Sequence, residues 1–140
     1  MTRIKLDLPP RFHFTTTLTV RVTDVNYGNH LGNDDLLGLI HEARVRFLAS
    51  LGYSEKEVEG VGILMSDCAI VYKAQGFLGD ELTIAVTVVE FSRVGCDLFY
   101  LVKKADGSEL ARAKTGIIFF NYVQGAVCPV PAAFAGRFRA

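Results

Sequence analysis

The sequence predicts an α+β fold in which an antiparallel sheet of about five strands wraps around one long helix. Three observations carry this expectation. A segment of period two comes first, a long amphipathic stretch follows, and four more strand-like segments come after it with no second long helix between them. A doubly wound α/β fold needs a helix after nearly every strand, and a β-barrel makes the long early helix odd. A sheet wrapped around that helix suits the order best.

Residues 11 to 23 alternate. Phe12, Phe14, Thr16, Leu18, Val20 and Val22 share one side, and His13, Thr15, Thr17, Thr19, Arg21 and Thr23 the other, which predicts a half-buried strand. The next ten residues, Asp24 to Asn33, hold two glycines and three asparagines and read as a structured loop. Asn33, Asp34 and Asp35 then supply N-capping side chains and negative charge for a helix running to about Leu51 and stopping at Gly52. Leu36, Leu39, Ile40, Ala43, Phe47 and Leu51 form its apolar stripe, widened by Leu37 and Leu48, so the helix is well buried. Ser54-Glu55-Lys56-Glu57 resembles a capping box opening one short helical turn.

Four strands complete the chain. Ile63 to Tyr72 is long and mostly apolar, and its Cys68 reads as core rather than nucleophile. Leu82, Ile84, Val86 and Val88 alternate with Thr83, Ala85 and Thr87. Leu98 to Lys103 follows, then the hairpin signal Asp106-Gly107, then Leu110 to Tyr122.

The 140 residues fit one domain, 1–140, and half of them are hydrophobic, enough to build a core and to exclude a disordered chain. The 15 basic and 15 acidic residues cancel, which argues against a general nucleic-acid binder. No apolar run approaches the ~20 residues that cross a bilayer, and Met1 to Pro10 lacks the core of a signal peptide. Cys68, Cys96 and Cys128 are scattered, as reduced thiols of a cytoplasmic protein are. His13, His30 and His41 are equally dispersed, so neither a metal nor another cofactor is expected. There is no G-x-S-x-G elbow for a serine triad.

Residues 18 to 52 resemble the hotdog-fold thioesterases of the 4-hydroxybenzoyl-CoA and acyl-ACP thioesterase type. Those proteins tend to show a strand, a loop D-x-D-x-x-G-H-V-N-N, and a helix with E-A-R followed by an aromatic. Here the strand ends in Val20-Arg21-Val22-Thr23-Asp24, and the loop passes through Asn26, Gly28, His30, Leu31 and Asn33. The helix carries Glu42-Ala43-Arg44, Phe47-Leu48 and Leu51-Gly52. The resemblance implies a sheet curled around the helix, a homodimer or homotetramer with active sites at a subunit interface, and an acyl-CoA or acyl-carrier-protein substrate. It departs at Asn26, which stands where the family often has its catalytic carboxylate.

Thioester hydrolysis needs a polarised carbonyl and an activated water. The loop Gly28, Asn29, Leu31, Gly32 and Asn33, feeding the helix N-terminus, is the candidate for binding the thioester through backbone amides. Asp24, His30 and Glu42 are candidates for water activation, and Asn26 for positioning. Glu42 comes first: it sits at the margin of the apolar stripe, although it also has Arg46 four residues on as an ion-pair partner. Arg44 lies inside the stripe, which suits snorkelling, pairing with an acid such as Asp24, or reaching a partner subunit. A hotdog binding module that has lost its base is the alternative. Hotdog dehydratases use other loop motifs.

Overall fold

The computed structural model describes residues 1–139. Six strands and two helices follow the order β1 (Phe14–Thr19), α1 (Asn33–Ser50), β2 (Gly62–Tyr72), β3 (Glu81–Val89), β4 (Gly95–Lys104), β5 (Glu109–Asn121), β6 (Ala126–Val127) and α2 (Ala132–Phe138). The sheet runs β1-β3-β4-β5-β2, every neighbour antiparallel, with the short β6 added to β5. This is the hotdog arrangement, in which α1 packs against the sheet.

Alternation along the strands creates the face that α1 needs. Leu82, Ile84 and Val86 of β3, Leu98, Tyr100 and Val102 of β4, and Ala111, Ala113 and Ile117 of β5 all bury their side chains. Leu36, Leu39, Ile40, Ala43, Phe47 and Leu48 of α1 join them in one core. Leu37, placed by its spacing at the edge of the stripe, is instead 43% exposed.

Four local expectations need correction. The alternation of the first strand ends at Val20: residues 22–24 form a 3-10 turn that swings Val22 out and Asp24 in. Residues 54–57 make a tight bridge instead of a helical turn, with Ser54 and Glu57 exchanging both backbone hydrogen bonds at 3.1 Å. Cys68 is exposed, because β2 is an outer strand of the sheet. Asn33 is the first helical residue, not the cap; Gly32 holds that place.

The C-terminal α2 is an addition to the expected elements. Its Phe134 lies 5.3 Å from Phe119 and 5.0 Å from Phe138, whose ring meets Phe47 at 5.8 Å and His13 at 4.9 Å. Pro131 before it and the i, i+4 pair Phe134 and Phe138 are the sequence signals for it. In the β2–β5 ladder, Ser66 is an extra residue in β2, a bulge between Met65 and Asp67. There the Asp67 carboxylate accepts the Gly116 N–H at 2.9 Å and the Lys114 ammonium at 2.7 Å.

Candidate active site

The turn after β1 fixes Asp24. Its carboxylate accepts the Arg21 backbone N–H at 2.8 Å and the Arg21 guanidinium at 3.2 and 3.3 Å. Burial by itself would raise the Asp24 pKa; the Arg21 hydrogen bonds outweigh it and hold the carboxyl below its ordinary range. The backbone oxygen of Asp24 also accepts the Gly32 N–H at 3.0 Å, so turn and helix start are tied together.

Asn26 closes the loop. Its Oδ1 accepts the Gly28 N–H at 2.9 Å and the His30 N–H at 3.5 Å, while its own N–H donates to the His30 carbonyl at 2.9 Å. Asn29 takes the left-handed conformation at φ 69° and donates its N–H to the Asn26 carbonyl. The His30 ring lies over Gly28, where a Cβ would come within 3.3 Å of Nε2. Leu31 donates its N–H to the Gly76 carbonyl. The amides of Gly28, Asn29, Leu31 and Gly32 are thus engaged within the protein. Those of Asn33 and Asp35 find no acceptor among the described residues.

Gly32 stands at the cap of α1, and the Asp34 and Asp35 carboxylates close over the space where its side chain would be. Asn33 turns its Oδ1 to the Asp34 N–H at 2.9 Å, and its carbonyl accepts the Tyr72 hydroxyl at 2.8 Å.

A cleft of about 680 Å³ opens between β1 and α1. Leu18 and Arg21 line it from the strand side, Asp24 from the turn, and Asp35, Gly38, Leu39 and Glu42 from the helix. Arg46 crosses the cleft, donating to Glu42 Oε2 at 3.0 Å, to Thr16 Oγ1 at 2.9 Å and to the Thr17 carbonyl at 3.1 Å. Glu42 Oε1 keeps no partner among the described residues, and the side chain is half exposed. Asp24 and Glu42 therefore meet in one cavity, while Asn26, Gly28, Asn29 and His30 form the loop outside it.

One polar cluster has no counterpart in the sequence reading. Arg44, buried on the other flank of α1, donates Nε to Glu55 Oε2 at 2.9 Å and Nη1 to the Tyr100 hydroxyl at 3.3 Å. Tyr100 in turn shares a 2.8 Å bond with Thr115, and Glu55 Oε1 meets His41 Nε2 at 2.7 Å. The partner of Arg44 is Glu55, not Asp24. Partial desolvation beside its neighbours raises the pKa of the exposed Cys68 thiol, and burial pushes the Cys96 thiol up to about 12, which leaves both poor nucleophiles.

The sequence model of the thioesterase-like superfamily matches residues 20–138. The chain belongs to that superfamily. It is a thioester hydrolase of the hotdog fold. Among solved structures it is similar to a 1,4-dihydroxy-2-naphthoyl-CoA thioesterase from Synechocystis, with 22% identity, TM-score 0.78, and 87% of this chain and 92% of that one covered. A Staphylococcus aureus protein in complex with CoA gives 21% identity, TM-score 0.81, and coverage of 95% and 85%. A gentisyl-coenzyme A thioesterase gives 20% identity, TM-score 0.80, and coverage of 90% and 100%. At these identities the likeness speaks to the fold. No curated protein sequence matches the chain. No helix among the described residues is long and apolar enough to cross a membrane.

Proposed function

We propose that this thioesterase hydrolyses acyl-CoA esters in the cleft between β1 and α1, with Glu42 as general base. The observation that carries this reading is the placement of Glu42: one carboxylate oxygen is held by Arg46, and the other is free in a cleft of about 680 Å³. Such a group can take a proton from water while its partner fixes its orientation. Asp24, held as an anion by Arg21, serves as the structural and electrostatic neighbour. Asn26 and His30 maintain the loop that leads into α1, and the amides of Asn33 and Asp35 are the donors left for the thioester carbonyl. CoA as the carrier draws support from the CoA-bound and CoA-ester-named structural neighbours.

The reading includes a homodimer, formed along the outer edge of β2 and the exposed side of α1. Leu37, Leu64 and Met65 are each at least two-fifths exposed there, on one flank of the molecule. It also includes a single working domain in a reducing, cytoplasmic compartment, in keeping with the dispersed cysteines.

Free-thiol release from a panel of short, long and aromatic acyl-CoAs tests it. Turnover by the wild type with a drop of about 10²-fold or more in Glu42→Gln is the expected result. Undiminished turnover in that variant would move the base elsewhere. Binding without turnover by the wild type would favour a module that retains acyl-CoA.

A further inference from the structure

At the side of the sheet away from β2, β1 pairs only with β3. Its neighbour Val20 donates its N–H to the Asp80 carbonyl on the β3 side at 2.9 Å. Backbone groups alternate in direction along a strand, so those of Leu18 and Thr16 point toward β3 as well, and those of Thr17 and Thr19 point away from it. Arg46 marks where the second set points: it reaches across from α1 to the Thr17 carbonyl at 3.1 Å. Among the described residues, nothing accepts from the Thr17 or Thr19 N–H, and nothing donates to the Thr19 carbonyl. Thr17, Leu18 and Thr19 all line the Glu42 cleft. One wall of that cleft is therefore the unpaired rim of a strand.

Such a wall selects its occupant. An alkyl chain laid along it would strip water from N–H and C=O groups and return no hydrogen bond. A chain with secondary amides returns both kinds. Phosphates suit the cavity poorly, because Asp24, Asp34, Asp35 and Glu42 outnumber Arg21 and Arg46 around it. The occupant that fits is neutral, extended and interrupted by amides. The pantetheine arm of a thioester carrier is such a chain. Its β-alanine unit has an N–H at one end and a carbonyl at the other, as a residue of a strand does.

We infer that the pantetheine arm lies along β1 as a neighbouring strand would, its β-alanine N–H donating to the Thr19 carbonyl and its β-alanine carbonyl accepting the Thr19 N–H. This deepens the proposed hydrolysis and rests on it. The thioester then shares the cleft with Glu42, and the charged nucleotide of CoA stays outside.

Thiol release from the hexanoyl thioesters of CoA, pantetheine, ethanethiol and an ester-linked pantetheine, with oxygen in place of both amide N–H groups, tests this. The wild type should cleave the CoA and pantetheine esters within about threefold of each other in kcat/KM, and the ester-linked analogue at least about tenfold more slowly. Thr19→Pro removes the rim N–H without touching the ladder to β3, a position where a strand tolerates proline. It should lose at least about tenfold on the pantetheine ester and less than about threefold on the ethanethiol ester. Thr15→Pro, on the same rim but outside the cleft, should change neither. An ester-linked analogue cleaved as fast as the pantetheine ester overturns the inference, whether or not the proline variants fold. Equal effects on both esters in a Thr19→Pro protein that melts like the wild type also overturn it. A hexanoyl acyl carrier protein presents the same arm. Its preferred cleavage would replace CoA as the source, and loss of that cleavage in Thr19→Pro would sustain the place of the arm. If the wild type releases no thiol at all, the proposed hydrolysis fails, and calorimetry with S-hexylpantetheine decides the inference separately. Affinity at least about tenfold weaker for its ester-linked counterpart would sustain it. Equal affinity, or none for either, would overturn it.

Discussion

Arg44 meets Glu55 from the inside of the protein: Nε lies 2.9 Å from Oε2, with the guanidinium 5% and the carboxylate 31% exposed. Removing the acid strands a buried cation. Glu55→Ala should therefore cost about 2 kcal/mol, less than a fully buried pair because water reaches the carboxylate. Urea unfolding at neutral pH measures it.

The same carboxyl links stability to acid. Burial would raise its pKa, but the hydrogen bonds from His41 and Arg44 prevail and hold it below its ordinary 4.5. Its contribution is complete above that value and disappears as pH falls through the lower, folded-state value. The urea midpoint should drop on acidification below pH 4.5, with a shallower drop in Glu55→Gln.

His13 acts in the opposite ionisation sense. Its Nδ1 accepts the Val88 N–H at 3.3 Å and pairs with the Thr87 hydroxyl at 2.9 Å, which requires a neutral ring. Burial first, and the nearby Arg11 charge second, lower its pKa from 6.5. The unfolded chain therefore takes up the proton first, and stability declines as pH falls from 6.5 toward the folded value. His13→Asn retains an acceptor without the titration. Its melting temperature should lose that part of the pH dependence.

Asp24 and Glu42 share a cleft but should separate in their effects. Asp24→Asn disturbs the contacts with Arg21 at the helix entry and should cost about 1–3 kcal/mol. Glu42→Gln loses an exposed i, i+4 ion pair and should shift stability by less than about 0.5 kcal/mol, while removing most thiol release. Thermal melts and the thiol assay on the two variants check both halves.

Phe134 of α2 is buried against Phe119, Tyr53 and Phe91. Phe134→Ala should cost about 3–5 kcal/mol, the loss expected of a core aromatic and not of an appended tail. Denaturant titration provides the number.

The strands and α1 are legible in the sequence because each buries one face and its residues repeat at the period of that face. Leu82, Ile84, Val86 and Val88 alone define β3, and the stripe from Leu36 to Phe47 defines α1. Residues 54–57 mislead because Glu55 is drawn to Arg44, eleven positions back, a partner no local pattern reveals. The outward turn of Val22 has a local cause instead: Asp24 closes a 3-10 turn back onto the backbone N–H and guanidinium of Arg21, three residues earlier, which breaks the period of two. At the site, Asp24 is foreseeable as the acid that ends the first strand segment, and Glu42 as the acid at the margin of the helix's apolar stripe. The Arg44 cluster is not, because it joins a helix, a loop and two strands that meet only once the sheet has formed.

The bulge at Ser66 governs how β2 can be extended. An eleven-residue outer strand is a template for indiscriminate strand addition and fibril growth. Here the ladder slips by one residue near its midpoint, and Asp67 places a charge there. A passing flat strand would fall out of step halfway along, whereas a ribbon with its own matching slip would not. Deleting Ser66 would straighten that edge, and the cost would surface as precipitation on storage before it surfaced in catalysis.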